Sequence, residues 1–94
     1  MIDTIKQRAL HRTKILQGQL KGLEKMIASD EYCVDIITQS LAIQKSLSSL
    51  DKLMVENHLN THVLHDMASS DETKQAKAIK EMVNLYELTH VRGK

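Results

Sequence analysis

The sequence predicts an all-α fold with three helices per subunit, and three observations point to it. The 94 residues contain no Pro, Trp or Phe and only three Gly, so long stretches run without a breaker. The apolar content is Leu, Ile, Val, Met and Ala, with two Tyr as the only aromatics. That favours helix over sheet, which would want aromatic and β-branched runs punctuated by turns. Apolar residues also recur at three- and four-residue steps, interrupted only at Ser29-Asp30-Glu31 and Ser69-Ser70-Asp71-Glu72.

The first helix is expected from about Asp3 to Ala28. Ile5, Ala9, Leu16, Leu20, Leu23 and Ile27 form its apolar stripe, and Lys14, Lys21 and Lys25 lie on roughly the opposite face. Gly18 and Gly22 each cost about 1 kcal/mol relative to Ala inside a helix, which a close helix–helix approach would offset. Ser29 or Asp30 is placed to cap the second helix, with Glu31 in its first turn. This helix is expected from about Glu31 to His65, a rod near 50 Å long at about 1.5 Å per residue. One small subunit cannot cover such a rod, so it must pair with another chain. Ser69 and Glu72 have the spacing of a capping box. The third helix is expected over about Glu72 to His90, with Ala76, Ile79, Val83 and Tyr86 as its stripe and Arg92-Gly93-Lys94 as a frayed tail.

The chain reads as a single domain, and short for a self-sufficient one; oligomerisation is a common remedy for a thin core. Thirteen basic and twelve acidic side chains nearly cancel, so a case for nucleic acid rests on where the charges lie. A single Cys excludes an internal disulfide and suits a reducing compartment. Met1 to Arg12 has no apolar core of signal-peptide length and no run approaches a membrane span, so a cytoplasmic location is expected.

On a helical wheel of the second helix, Ile37, Leu41, Val55 and Leu59 fall on one side of Cys33. Ile36, Ile43, Leu47 and Met54 fall on the other. His58 and His62 lie within about 20° of Cys33, in the middle of this apolar arc. A thiolate and an i, i+4 imidazole pair are good ligands for a transition metal. The plainer reading is a cysteine serving as a small hydrophobe beside an incidental histidine pair. Within one chain Cys33 and His58 stand roughly 37 Å apart along a helix. Two copies packed antiparallel about a dyad near Leu47 would bring Cys33 of one subunit beside His58 and His62 of the other, giving two equivalent sites and covering the long helix.

From Arg12 to about Val63 the chain resembles the CsoR/RcnR/FrmR family of bacterial repressors. The resemblance rests on Arg12-Thr13-Lys14-Ile15-Leu16-Gln17-Gly18-Gln19-Leu20-Lys21-Gly22-Leu23, on Met26-Ile27, on Tyr32-Cys33-Val34-Asp35-Ile36-Ile37-Thr38-Gln39 and on Glu56-Asn57-His58-Leu59-Asn60-Thr61-His62-Val63. It implies an antiparallel four-helix core in a dimer, two dimers forming a tetramer, and repression relieved when an effector binds. It further implies operator DNA lying against a largely helix 1 face carrying Arg12, Lys14 and Lys21. Tyr32 and Glu81 resemble positions whose side chains support the ligand histidine. The sequence departs from the family pattern at Ile15, where many relatives carry a basic residue, and at Ser48-Ser49, near another basic DNA-facing position, which bears on DNA affinity or operator preference.

The Cys33, His58 and His62 set favours Cu(I), which accepts thiolate and imidazole at low coordination number. Copper sensors of the family more often carry Cys at the third position, and nickel and cobalt sensors carry His there. Ni(II)/Co(II) is therefore the alternative; those sensors also use an N-terminal His, which this sequence lacks before His11, so the N-terminal amine or Asp3 would have to substitute, and Zn(II) would need a fourth ligand from water. Ile2 and His62 speak against an aldehyde sensor, and the single Cys against a persulfide sensor. A non-DNA helical adaptor is the competing class, motivated by the near-zero net charge. No nucleophile–base pair or phosphate-cradling loop points to an enzyme. His11, His65 and His90 read as surface residues.

Overall fold

The structure, a computed structural model, describes residues 1–91, with side chains as far as Leu88; the tail at 92–94 and the side chain of His90 lie outside the described residues. Helix α1 spans Asp3–Ala28, α2 Cys33–His58, α3 Leu64–Ala68 and α4 Glu72–Val91, with a π-helical turn, Leu59–Val63, between α2 and α3. The described residues contain no strand, as the all-α expectation requires. The chain forms two compact units, Met1–Asn57 and one that begins at His58.

In the first unit α1 and α2 run antiparallel. Ile5 and Ala9 cluster with Leu53, joined by Ile2, Leu50 and Met54, while at the other end Gln39 Nε2 donates to the carbonyl of Gln19 at 3.2 Å. The covered residues of α1 are Ile5, Ala9 and Leu16; the N-cap Ile2 and Arg12, Thr13, Gln19, Gly22, Leu23 and Met26 are half-buried, and the central line of this face runs through 2, 5, 9, 12, 16, 19, 23 and 26. Those positions alternate steps of three and four, a repeat of about 3.5 that drifts around a helix of about 3.6 residues per turn. The straight stripe expected from the sequence therefore fails toward the C-terminal half: Leu20 and Ile27 are 52% and 55% exposed. The close approach expected at the glycines is also not formed within the chain. A Cβ on Gly18 would meet nothing within 4 Å, and one on Gly22 only Gln39 Nε2 at 3.8 Å.

The first break works differently from the expected cap. Glu31 donates its N–H to the Met26 carbonyl at 3.0 Å and Asp30 to that of Ile27 at 3.1 Å, with Asp30 left-handed at φ 54°. This is a Schellman ending of α1. Ser29 and Asp30 thus close the first helix instead of opening the second. Helix α2 starts at Cys33, two residues later than expected, with the Tyr32 carbonyl accepting from Asp35 and Ile36.

In the second unit the helical path expected to end at His65 continues to Ala68, but through the π turn. The capping box expected from Ser69 and Glu72 does not form. Ser69 Oγ accepts the Asp71 N–H at 3.1 Å, and Asp71 Oδ1 accepts that of Thr73 at 2.9 Å, so Asp71 caps α4. On α4 the covered residue is Ala78, with Gln75, Met82 and Leu85 half-buried. The expected stripe faces outward: Ala76 is exposed, and Ile79, Val83 and Tyr86 are 55%, 51% and 63% exposed. With Val63, Met67, Ala78 and Met82 these last three line an open apolar groove.

Candidate metal centre

Cys33 is the first residue of α2 and its thiol is exposed. Around it the single chain leaves Val34, Ile37, Leu41 and Leu47 exposed as well, while Ile43 and Leu53 are buried against α1. The apolar arc of α2 is thus divided. One edge closes the α1–α2 pair, and the sector about the Cys33 meridian is uncovered.

His58 ends α2, and His62 lies within the π turn that follows. A wheel at 100° per residue no longer applies there, because i→i+5 bonding changes the angular step. The two imidazoles nevertheless meet: their centroids are 5.1 Å apart with the rings inclined at 29°. His58 Nε2 is in direct hydrogen-bonding contact with Oε1 of Glu81 on α4. A carboxylate only accepts, so Nε2 is the donor in this contact, and in a neutral imidazole of that tautomer Nδ1 is the nitrogen with the lone pair. The Thr61 hydroxyl lies 3.2 Å from His62 Nδ1. If Nδ1–H donates to it, Nε2 of His62 is the ligating atom.

One chain therefore brings His58, His62 and Glu81 together. Among the described residues no group of three or more His, Cys, Asp or Glu side chains is arranged to hold a metal ion. The chemistry of the donors fits a soft or borderline transition metal, since thiolate and imidazole are its preferred ligands. Tyr32 is 72% exposed. On α1, Lys14 and Lys21 are exposed and Arg12 is half-buried on the side that meets α2. His11 and His65 are exposed, as expected of surface residues.

Sequence reasoning missed two residues beside this centre. Asn57 is 7% exposed, and its Oδ1 accepts the N–H of Ile2 at 2.8 Å. Its signal was available: 36, 39, 43, 46, 50, 53 and 57 keep the three–four alternation of the α1-facing side of α2, so a polar residue at 57 falls on a covered position. Thr61 gave no signal, because its place beside His62 depends on the π turn. No described helix is long and apolar enough to cross a membrane.

The family model for metal-sensitive transcriptional repressors matches residues 5–87. The copper-sensing transcriptional repressor CsoR of Mycobacterium tuberculosis is 39% identical over 84 residues, covering 89% of this chain and 68% of that protein. The crystal structure of the copper-sensing repressor CsoR with Cu(I) from Geobacillus thermodenitrificans is similar at a TM-score of 0.80. It shares 26% identity over 95% of this chain and 88% of that one. A glutamate-to-histidine variant of the formaldehyde-responsive regulator FrmR from Salmonella enterica is similar at a TM-score of 0.72, with 29% identity over 90% of this chain and 93% of that one.

Proposed function

The chain belongs to the family of metal-sensitive transcriptional repressors, and from that premise we propose that it holds operator DNA when free of effector and releases it when Cu(I) occupies a site made by Cys33 of one subunit and His58 and His62 of another. Its work is regulation and not catalysis.

The observation that carries this reading is the arrangement of His58, with Nε2 engaged by Glu81 and the ring stacked on His62. A ligand imidazole needs its other nitrogen fixed, and a carboxylate there sets the tautomer and raises ligand basicity. Glu81 supplies that partner. The bound ion would contribute a bond between donors of two chains. Cys33 contributes a thiolate from an exposed position at the start of α2. Tyr32, next to it and also exposed, is assigned a supporting role toward the partner subunit's imidazoles. The uncovered sector with Ile37, Leu41 and Leu47 is the surface on which a second subunit packs antiparallel, since apolar patches of this kind mark interfaces. Two such dimers form a tetramer.

Arg12, Lys14 and Lys21 lie along α1 and contact DNA phosphates in this reading. Binding should then weaken steeply with salt, and each lysine removed should lower the log–log slope by about one. Affinity that stays flat with salt would favour a helical adaptor. A DNA-binding regulator of this kind works in the cytoplasm.

The test is a Cu(I) titration of the wild type and of Cys33→Ala, followed by anisotropy of labelled operator DNA. The variant should bind DNA and fail to release it; release at the wild-type Cu(I) concentration would exclude Cys33 from the site. A second metal reading, Ni(II) or Co(II), draws on the imidazole at both 58 and 62. X-ray absorption of anaerobically loaded protein separates the two: three-coordinate Cu(I) supports the first, six-coordinate Ni(II) the second.

A further inference from the structure

Asn57 is the one buried polar side chain among the described residues, in a chain whose other buried side chains are apolar. Burying a carboxamide costs free energy unless it is hydrogen-bonded, so packing alone would favour Leu or Met at this place. Its Oδ1 accepts the backbone N–H of Ile2 across 55 residues of sequence, at 2.8 Å. Ile2 is the N-cap residue of α1 and has no side-chain oxygen with which to cap it. Its side chain packs on the cluster of Ile5, Ala9 and Leu53. The start of α1 is thus fixed in direction by Asn57 and in position by apolar contact. Register along an apolar seam is loosely specified, because one Leu fits about as well as another; a directed hydrogen bond to a single amide specifies it.

The covalent neighbour of Asn57 is His58. Both residues lie in the last turn of α2, so a shift of that turn that accompanies a change at His58 carries the Asn57 acceptor with it, and with it the hold on the start of α1. Helix α1 is the element that carries Arg12, Lys14 and Lys21. We propose that Asn57 is a positioning residue that couples the state of His58 to the N-terminal end of α1 through the Ile2 amide, without itself binding effector or DNA. The proposal rests on the metal-responsive reading given above. It assigns the coupling to one hydrogen bond, so the two can fail separately.

The experiment compares full-length wild type, Asn57→Ala and Asn57→Asp. The last keeps an acceptor oxygen at the same place. Three quantities are measured: Cu(I) affinity against a chromophoric chelator, operator affinity with and without Cu(I), and the amide resonances of Ile2 and the first turn of α1 by NMR. For Asn57→Ala, Cu(I) affinity measured without DNA should stay within about threefold of wild type, while the ratio of effector-free to Cu(I)-loaded DNA affinity falls by about tenfold or more, within the usual range of allosteric coupling. Asn57→Asp should restore most of that ratio. A residue that only stabilised the fold would lower stability and leave the ratio intact. An unchanged ratio in Asn57→Ala, beside a wild type that responds to Cu(I), overturns the coupling and leaves the functional reading standing. A wild type that holds DNA equally with and without Cu(I) overturns both. Should Asn57→Ala fail to fold, the wild type decides: the Ile2 amide must differ in exchange protection between the effector-free and Cu(I)-loaded forms, and equal protection overturns the proposal.

Discussion

The two sides of α2 are built from the same kinds of residue and are used differently. On the side facing α1, Ile43 and Leu53 are 6% and 4% exposed; of its polar residues, Gln39 and Asn57 bond to the backbone of α1 and of its N-cap, and Ser46 donates to the Ala42 carbonyl of its own helix. About the Cys33 meridian, Ile37 and Leu41 are 57% and 58% exposed, and the thiol lies open among them. Hydropathy does not distinguish the two sides. What distinguishes them is that one keeps the three–four alternation shared with α1, and polar groups on it are paired. The first side makes the subunit. The second, in the reading proposed here, makes the assembly and with it the sensor.

Substitutions on the two sides should separate these roles. The largest effect is expected from Ile37→Glu with Leu41→Glu, because burying unpaired carboxylates at an interface costs several kcal/mol. Sedimentation should show the assembly lost. An unchanged mass would mean that this sector of α2 is not an interface. Leu53→Ala, on the other side, should destabilise by about 2–5 kcal/mol in denaturant, the usual range for truncating a buried leucine. A loss comparable to that of an exposed leucine would show that the α1–α2 pair is not the core.

A smaller effect is expected at the end that bears the proposed histidine ligands. Glu81→Gln keeps the shape of the side chain and removes its charge, so the contact with His58 is weakened without a cavity. Metal affinity should fall by about 10–100-fold, the typical cost of removing the outer partner of a ligand histidine. A chelator competition that finds no change would detach Glu81 from the site. The smallest change tests the turn before Cys33. Asp30 is left-handed, so Asp30→Gly should stabilise by roughly 0.5–1 kcal/mol through relief of the Cβ penalty. A drop in Tm would show that the carboxylate has a role that the Schellman geometry does not describe.

Much of this was legible in the sequence, and the rest failed for identifiable reasons. The all-α class and both breaks could be read from composition and from Ser29-Asp30-Glu31 and Ser69-Ser70-Asp71-Glu72, because helix-breaking chemistry is local. The capping roles were misassigned at both breaks, since a polar residue between two helices is able to end one or begin the next. On α1 and α4 the residues expected to be covered included Leu20, Ile27, Ile79, Val83 and Tyr86, which the single chain leaves exposed. A hydrophobic stripe records all the burial a sequence undergoes, including burial against other copies, and does not say which neighbour supplies it. His58 and His62 were found from their spacing, yet their actual relation passes through a π turn that no periodicity revealed. The Glu81 assignment came from resemblance alone, and the structure sets Glu81 against His58.

The central claim is that Cys33 and the histidine pair act across two subunits. Mixing two inactive variants tests it most directly. Cys33→Ala lacks the thiolate of its own chain, and His58→Ala lacks an imidazole of its own; each homodimer should fail to bind Cu(I) at one ion per subunit. In a heterodimer unfolded and refolded from the two, one site loses both donors, whereas the other combines the intact Cys33 with the intact His58 and His62. The purified heterodimer should recover one tightly bound Cu(I) per dimer, with a thiolate charge-transfer band. A heterodimer that binds no more than its parents would contradict the claim, because ligands drawn from a single chain cannot complement in trans.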